Sequence, residues 1–417
     1  MVCVSVKYVK FVARLLVFSF VFSVISPAFA CTTMIITPGA TADGSMYVAH
    51  SDDNDLADNS IVYVPAADWP KGSVRKVYPS AVAVGELPQY NAFLIPRLVA
   101  PSRAKGYDYR NKPLTIAVGE IPQARHTYAY LDGSYGIVNE HGLMFGECTN
   151  GAKVENEPLP GKRIFYSSEL SRVALERCKT AREAIALIGE LIEKYGYYGT
   201  GETLPVADAK EGWVIEMAPS PEGDGGLWVA QRVPDGEIFI AANEFRIRDL
   251  DPNSPDQIIG KKTIETIEKA GWRAPADKSR KIDWLASVSL GEYNHPYYSL
   301  RRVWRGLSLA APSLGLSPWV KNGLTRDYPF TVKPDKKFER ADIERIYRDH
   351  YEGTEFDMTK GFAAGPFGNP TRYLGPNDGH GDVGTPDNNM AGAWERPISM
   401  FYEGYSFINQ VKPGVGE

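Results

Sequence analysis

The sequence predicts an α+β fold in which antiparallel β-sheets pack against helices, and three observations support this. Short β-branched apolar runs, separated by Gly- and Pro-rich turns, follow residue 30 and recur between residues 213 and 242. Residues 167–195 have the periodicity of two amphipathic helices. Strand patterns and helix patterns do not alternate regularly along the chain, which favours antiparallel sheets covered by helices.

Residues 32–49 are expected to form a β-hairpin. Residues 32–37 form a β-branched apolar run, residues 38–44 contain two Gly-based turn signals, and residues 46–49 form a second short strand. If the loop takes up residues 38–44, the hairpin returns residues 50–53 to the vicinity of Cys31. A tight turn at Asp43-Gly44 would instead shift the register and separate them.

The remaining elements follow in order along the chain. A capping box at Thr180–Glu183 opens the second helix, and Gly196 suits its C-terminal end. No break in composition marks a domain boundary after residue 30. The other predicted elements are a hairpin around residues 135–145, strands at 213–217, 227–233 and 238–242, helices at 256–270 and 298–310, and a long surface loop over 363–389.

Composition places the chain among globular proteins and excludes several functional classes. Of 417 residues, 43% are hydrophobic and 23% are charged, which excludes a disordered chain, a collagen and a disulfide-dense miniprotein. The formal net charge is −5, and the first 30 residues contain basic but no acidic side chains. An acidic body without a Lys/Arg block argues against nucleic-acid binding.

The first 30 residues have the organisation of a secretory signal peptide. Three basic residues precede an apolar stretch over residues 15–25, and Ala28-Phe29-Ala30 places small residues at positions −3 and −1 of a cleavage site. The apolar stretch is shorter than the ~20 residues that span a bilayer. We therefore expect cleavage after Ala30, a secreted or periplasmic protein, and no membrane span.

Cleavage at this site would make Cys31 the first residue of the mature chain. An N-terminal cysteine carries its own base, because a free α-amine of pKa about 7.7–8.0 can accept the thiol proton. The alternative is a lipobox that turns Cys31 into a lipid anchor. Such a box prefers Leu and a small residue where this chain has Ala28 and Phe29, and lipidation would acylate the amine that the chemistry needs.

Cysteine and histidine spacing indicates a thiol rather than a metal. Once Cys3 is lost with the leader, three cysteines remain, and an odd number in a secreted chain indicates a free thiol. Cys148 and Cys178 could pair with each other or simply be buried. The six histidines show no metal-ligand spacing, and the acidic run over residues 52–55 is interpreted as a solvated loop rather than a calcium site. We therefore expect no metal, and chemistry by an N-terminal thiol needs no organic cofactor.

Six stretches of the chain form an ordered set of motifs. The stretch that begins at Cys31, CTTMIITPGATADGSMYVAHSDDND, is followed in order by YGIVNEHGLMFGECTN, PVADAKEGWVIEMAPS, RVPDGEIFIAANEFRI, SLRRVWRGLSLAAPS and EGTEFDMTKGFAAGPFGNPTRY. Together these stretches resemble the dipeptidases and secernins among the N-terminal nucleophile (Ntn) hydrolases. The resemblance covers nearly all of the chain after the cleavage site. It implies a single domain over residues 31–417 with a four-layer αββα sandwich of two mostly antiparallel sheets, shortened at its C-terminus relative to family members.

The resemblance also implies a set of catalytic residues, matched by their position in each motif. Cys31 matches the nucleophile, and Asp53 matches an acid that orients the new amino terminus. Asn243 matches the side-chain donor of the oxyanion hole, and Thr149 falls where related amidases place a second oxyanion group. Arg302 matches an arginine close to the nucleophile.

The chain departs from the family at His50, where many relatives have an arginine. In the predicted hairpin, His50 lies beside the nucleophile and is a candidate substrate-binding residue. A neutral histidine would lower the pKa of the thiol less than an arginine does.

The resemblance implies cysteine-dependent hydrolysis of dipeptides through a thioester, so small peptides are the expected partners. The sequence does not decide whether the protein forms a homo-oligomer. Two alternatives remain at this point. One is an acylase of bile-acid or penicillin V type that uses the same machinery, and the other is a lipid-anchored binding protein without activity. A dipeptidase needs charged groups for the ends of its substrate, whereas an acylase needs an apolar slot.

Overall fold

A computed structural model describes residues 30–53, 60–80, 98, 100, 114–293, 297–370, 395–401 and 403–414. Within these ranges the strands and α-helices, in chain order, are β1 (Ala30–Ile36), β2 (Met46–Asp53), β3 (Val62–Val64), β4 (Ala67–Asp68), β5 (Val74–Val77), β6 (Gly119–Pro122), β7 (His126–Thr127), β8 (Tyr130–Asp132), β9 (Gly136–Asn139), β10 (Met144–Phe145), β11 (Cys148–Asn150), α1 (Ser167–Arg177), α2 (Ala181–Tyr195), β12 (Gly201–Ala207), β13 (Gly212–Pro219), β14 (Gly226–Val233), β15 (Ile238–Ala241), β16 (Gln257–Ile259), α3 (Thr263–Lys269), α4 (Trp284–Val288), α5 (Leu300–Ala310), β17 (Thr331–Val332), α6 (Arg340–Tyr347) and β18 (Glu403–Val411).

Two antiparallel sheets organise these strands. The smaller has five strands in the order β17-β15-β1-β2-β18. The larger has nine strands in the order β16-β14-β13-β12-β10-β9-β8-β3, with β11 also paired to β12. Two short ribbons, β4-β7 and β5-β6, complete the pairing within the described residues.

The two sheets stack face to face between two layers of helices. Ile35 and Val214, from opposite sheets, share an apolar cluster between the sheets. Helices α1 and α2 cover the outer face of the larger sheet, where Ile188 packs in one cluster with strand residues. Helices α5 and α6 cover the smaller sheet through a cluster that contains Val303 and Ile343. The prediction of a four-layer αββα sandwich is confirmed.

The N-terminal hairpin has the register that the longer loop predicts. Strands β1 and β2 pair so that Cys31 lies opposite Asp52 and Thr33 lies opposite His50. Alternate residues of β1 face opposite sides, so Cys31 shares with Ile35 the cluster between the sheets, whereas Met34 packs against the helices. Cys31 is therefore the second residue of β1, and its side chain points between the two sheets.

Most other predicted elements are confirmed. The Thr180–Glu183 capping box opens α2, and Gly196 ends it with a φ of +74°. Strands β9 and β10 form the predicted hairpin, and β13, β14 and β15 match the three predicted strands. Cys148 and Cys178 are buried free thiols, so they do not pair with each other.

The prediction of a helix over residues 256–270 is wrong in its first half. Residues Gln257–Ile259 form the edge strand β16, which pairs with β14, and the helix is confined to Thr263–Lys269. Gly260 separates the two and packs closely on Trp228, with an added Cβ falling 2.6 Å from Nε1 of the indole. Strand pairing thus outweighs the helical pattern here.

Two sequence predictions fall wholly or partly outside the described residues. The signal peptide lies there except for Ala30, which begins β1. Of the predicted loop over 363–389, residues 363–370 are described and contain only short 3-10 turns. Among the described residues, no helix is long and apolar enough to cross a membrane.

Candidate active site

Cys31 is held at the second position of β1 by contacts on both its backbone and its side chain. Its side chain is buried, and its backbone N–H donates a hydrogen bond of 3.1 Å to Oδ1 of Asn243. Its Sγ lies 3.9 Å from Oδ1 of Asp52, the residue opposite it in the hairpin. Ala30 precedes it, so this nitrogen is an amide in the described chain.

Asn243 links Cys31 to two other predicted site residues. It lies two residues after the end of β15 and has a φ of +57°, a left-handed conformation that Asn tolerates better than most residues. Ser299 donates a hydrogen bond of 2.8 Å to its carbonyl oxygen. Its Oδ1 also accepts from Nη2 of Arg302 at 2.8 Å, and its Nδ2 donates to the carbonyl oxygen of Thr149 at 2.7 Å.

Arg302 enters the site from the first turn of α5 and is fully buried. Its Nη1 donates to the carbonyl oxygen of Cys31 at 2.8 Å and lies 3.2 Å from Oγ1 of Thr32. Its Nε donates to the carbonyl oxygen of Tyr298 at 3.0 Å. A guanidinium stays protonated in proteins, so a fixed positive charge lies against the backbone of the nucleophile candidate.

Asp53 ends β2 on the face opposite to Cys31 and forms a buried ion pair with Arg396. Burial raises the pKa of Asp53, while Arg396 and Arg302 act in the opposite direction. Both guanidinium groups lie near the ring of Tyr298, at 4.9 Å for Arg302 and 5.5 Å for Arg396. Asp53 thus lies opposite Ala30, the residue before Cys31, with two cations around it.

Thr149 presents its backbone, rather than its hydroxyl, toward Asn243. Its Oγ1 lies 3.0 Å from Glu147 and 3.1 Å from Glu202, both buried. Tyr166 donates a hydrogen bond to Glu202 as well. Burial raises the pKa of Glu202 to about 7, and burial together with Glu202 raises the pKa of Glu147. Burial therefore favours the protonated form of both carboxyl groups.

His50 lies beside the thiol, as the hairpin predicts. A ring nitrogen of His50, Sγ of Cys31 and a carboxylate oxygen of Glu147 all lie within 4.8 Å of one another. The ring centroid is 5.3 Å from that of Phe407. Burial lowers the pKa of His50 to about 3, so the imidazole is neutral across the physiological range and supplies no charge to the thiol.

The thiol itself is held in its protonated form in the described chain. Burial raises the pKa of Cys31, and the nearby carboxyl groups of Glu147, Asp52 and Asp53 raise it further. Activation of this sulfur therefore needs a base or cation that the described residues do not place at Sγ. A free α-amine at residue 31 would supply one directly beside the thiol.

The structure brings all six predicted site residues into one region, and their roles stay predictions. Sequence reasoning missed other buried charged and aromatic groups around them. Glu147 stands within the GECTN stretch that carries Thr149, and Asp52 is the neighbour of Asp53, so both could have been found. Arg396 had no local signal. The residues missed are Asp52, Glu147, Glu202, Tyr298 and Arg396.

The chain is similar in sequence to several proteins named probable dipeptidases. A probable dipeptidase from Latilactobacillus sakei is 25% identical over 349 residues, covering 82% of this chain and 63% of that protein. A probable dipeptidase from Salmonella dublin is 26% identical over 393 residues, covering 92% of this chain and 75% of that protein. A probable dipeptidase B from Streptococcus pyogenes serotype M1 is 23% identical, and the match spans 59% of its length.

A solved structure and a family model complete the comparison. The penicillin V acylase from Agrobacterium tumefaciens matches 48% of this chain with 13% identity and a TM-score of 0.25. The family model of peptidase family C69 matches residues 101–417, well over half of the chain. The chain belongs to peptidase family C69.

Proposed function

We propose that this protein is a secreted cysteine-type dipeptidase that uses Cys31 as an N-terminal nucleophile. The observation that carries the proposal is the set of contacts at the start of β1. There the nitrogen of Cys31 binds Asn243, and Arg302 binds both Asn243 and the carbonyl oxygen of Cys31. The match to peptidase family C69 and to proteins named probable dipeptidases supports the same activity.

The proposed reaction begins with removal of residues 1–30 and release of the Cys31 α-amine. The amine takes the thiol proton, and Sγ attacks the carbonyl carbon of the dipeptide. The amide of Asn243, together with a backbone N–H near Thr149, stabilises the oxyanion. The protonated amine then gives its proton to the leaving amino acid, and water hydrolyses the thioester and regenerates the thiol.

The charges around Cys31 favour a dipeptide over an apolar acyl amide. A dipeptide carries an ammonium at one end and a carboxylate at the other. The described residues of the site include the carboxylate of Asp52 and the guanidinium groups of Arg302 and Arg396, all buried. These groups can neutralise both ends, whereas the acyl chain of an acylase substrate would need an apolar slot.

An assay with two substrate classes tests the proposal. The protein is expressed with its own leader, purified, and supplied with a panel of dipeptides, penicillin V and a glycine-conjugated bile acid. We expect hydrolysis of dipeptides, no activity in Cys31→Ala, and at most a trace in Cys31→Ser, because an alcohol is a poorer nucleophile at neutral pH. Cys178→Ala, at a buried thiol at the end of α1, is the matched control and should retain activity.

Three outcomes would overturn the proposal. Full activity in Cys31→Ala would exclude this residue as the nucleophile. Turnover of the acyl amides alone would establish the acylase alternative. A diacylglyceryl group on Cys31, with no activity on either class, would establish the lipid-anchored binding protein.

A further inference from the structure

A buried cluster of three donor atoms lies between the sheets and includes the proposed nucleophile. Sγ of Cys31, a ring nitrogen of His50 and a carboxylate oxygen of Glu147 lie within 4.8 Å of one another. Nε2 of His50 and Oε2 of Glu147 are 4.0 Å apart. The three residues come from β1, from β2 and from the segment before β11, so no sequence spacing could reveal the cluster.

Three polar atoms of this cluster, two on His50 and one on Glu147, lack hydrogen-bond partners among the described residues. They are the two ring nitrogens of His50 and Oε2 of Glu147, and all three atoms are buried. An unsatisfied buried polar group costs about 1–3 kcal/mol. His50 and Glu147 both have unpartnered buried atoms, and both lie close to the thiol of Cys31. This arrangement points to a ligand that accepts the lone pairs of these atoms.

A divalent cation of borderline softness matches these donors. Thiolate, imidazole and carboxylate are the ligands of Zn²⁺ in proteins, at distances of about 2.0–2.3 Å, which places donor atoms about 3.3–3.7 Å apart in a tetrahedral site. The 4.0 Å between His50 and Glu147 needs only a small contraction. A thiolate, a carboxylate and a neutral imidazole around Zn²⁺ carry no net charge, which suits a buried site.

We infer that Cys31, His50 and Glu147 form a binding site for Zn²⁺ or a similar transition-metal ion, which blocks the proposed nucleophile reversibly. Binding replaces the thiol proton, and any proton on Glu147, which leave to solvent. The metal then occupies the sulfur lone pair that would attack the substrate. The inhibitory part of this inference rests on the proposed function, whereas the binding site itself does not.

Cobalt substitution tests the site by a readout that is independent of activity. Co²⁺ is added to the metal-free protein purified from cells that express the full chain. We expect one equivalent to bind with a thiolate-to-cobalt charge-transfer band that Zn²⁺ abolishes by displacement. The band should vanish in Cys31→Ser. In His50→Ala and in the near-isosteric Glu147→Gln the dissociation constant should rise more than about 10-fold.

His141→Ala is the matched control, because His141 lies at the β9–β10 turn against Tyr128, away from this cluster. Its band and affinity should equal those of the wild type. Absence of the charge-transfer band in protein with native circular dichroism would overturn the inference. So would unchanged affinity in both His50→Ala and Glu147→Gln.

Activity measured in parallel separates this inference from the proposed function. Dipeptide hydrolysis that Zn²⁺ inhibits and a chelator restores, with the band present, supports both. Hydrolysis without the band leaves the proposed function intact and overturns the metal site. A band in protein without hydrolytic activity upholds the metal site and counts against the proposed function.

Discussion

At the scale of single residues, Asn243 holds the proposed active site together. Its side chain accepts from the nitrogen of Cys31 and from Arg302, and donates to the carbonyl oxygen of Thr149. In the proposed mechanism, the hydrogen bond from Nδ2 of Asn243 shifts from the carbonyl oxygen of Thr149 to the developing oxyanion. Its left-handed φ of +57° aims the side chain back toward β1.

Removal of this side chain should lower kcat strongly. Loss of one oxyanion donor typically reduces the rate by about 10²–10³, and we expect a reduction of that size in Asn243→Ala. Asn243→Gly is the matched variant, because glycine adopts a positive φ without strain. Steady-state kinetics with a dipeptide should show similar losses in both variants. Near wild-type kcat in Asn243→Gly would show that only the backbone conformation matters.

His50 is a neutral side chain beside the thiol of Cys31. Burial lowers the pKa of this imidazole to about 3, so protonated His50 does not assist the thiol even in mildly acidic solution. Arginine at this position would place a permanent cation near Cys31 and Glu147. A cation at such a distance lowers a thiol pKa by about 1–3 units, so alkylation of Cys31 should rise at lower pH in His50→Arg than in the wild type.

The measurement is the pH dependence of Cys31 alkylation, with His50→Gln as the neutral control. Wild type and His50→Gln should have similar curves, and activity of the wild type should rise with pH as the α-amine deprotonates. Superimposed curves for wild type and His50→Arg would contradict the placement of His50 beside the thiol.

The residues that sequence reasoning found and missed differ in one physical respect. Cys31, Asp53 and Asn243 stand within motifs at the ends of strands, where type and position can be matched. Glu147 acquires its significance from burial beside Glu202 and His50, which depends on how two sheets stack. Arg396 reaches Asp53 across 343 positions of sequence, and such a pairing has no local signature.

At the scale of elements, the start of α5 decides where Arg302 lies. Two backbone N–H groups there, of Ser299 and Leu300, donate to the carboxylate of Glu292 at 2.7 and 3.2 Å. Helix N-termini leave such N–H groups without intrahelical partners. Burial raises the pKa of Glu292 to about 8, so this carboxyl group is largely neutral at pH 7 and still accepts both bonds.

Loss of this cap should destabilise the protein and displace Arg302. We expect Glu292→Ala to lower the free energy of unfolding by about 1–2 kcal/mol and to reduce kcat. Glu292→Gln keeps an acceptor oxygen and resembles the protonated carboxyl, so its loss should be smaller. Denaturant unfolding at pH 7 checks the order. Equal stability of both variants and the wild type would contradict a capping role.

Element predictions succeeded where a local signal was complete. The capping box of α2 and the loop over residues 38–44 specify a helix start and a hairpin register directly. Strand β16 was mistaken for helix because its partner β14 is what stabilises it. Strand β18 was not predicted, because its pairing along the whole of β2 brings the C-terminal segment against the N-terminal hairpin.

At the scale of the whole molecule, the four layers convert distant segments into one site. The smaller sheet places β1 between β15 and β2, so Cys31, Asn243 and Asp53 meet at one end of these three strands. Helix α5 covers that end of the sheet with Arg302. The sandwich and this meeting point could be predicted because the family resemblance runs through the matching motifs, whereas the surrounding charges could not.

Peptide mapping of an acid-quenched turnover reaction tests whether Cys31 is the N-terminal nucleophile. The protein is expressed with its own leader, mixed with a dipeptide, quenched in acid and digested for mass spectrometry. We expect an N-terminal peptide that begins at Cys31 and carries, on its sulfur, the acyl half of the substrate. A terminal peptide that retains Ala30, bears a lipid, or carries no adduct while substrate is consumed would contradict it.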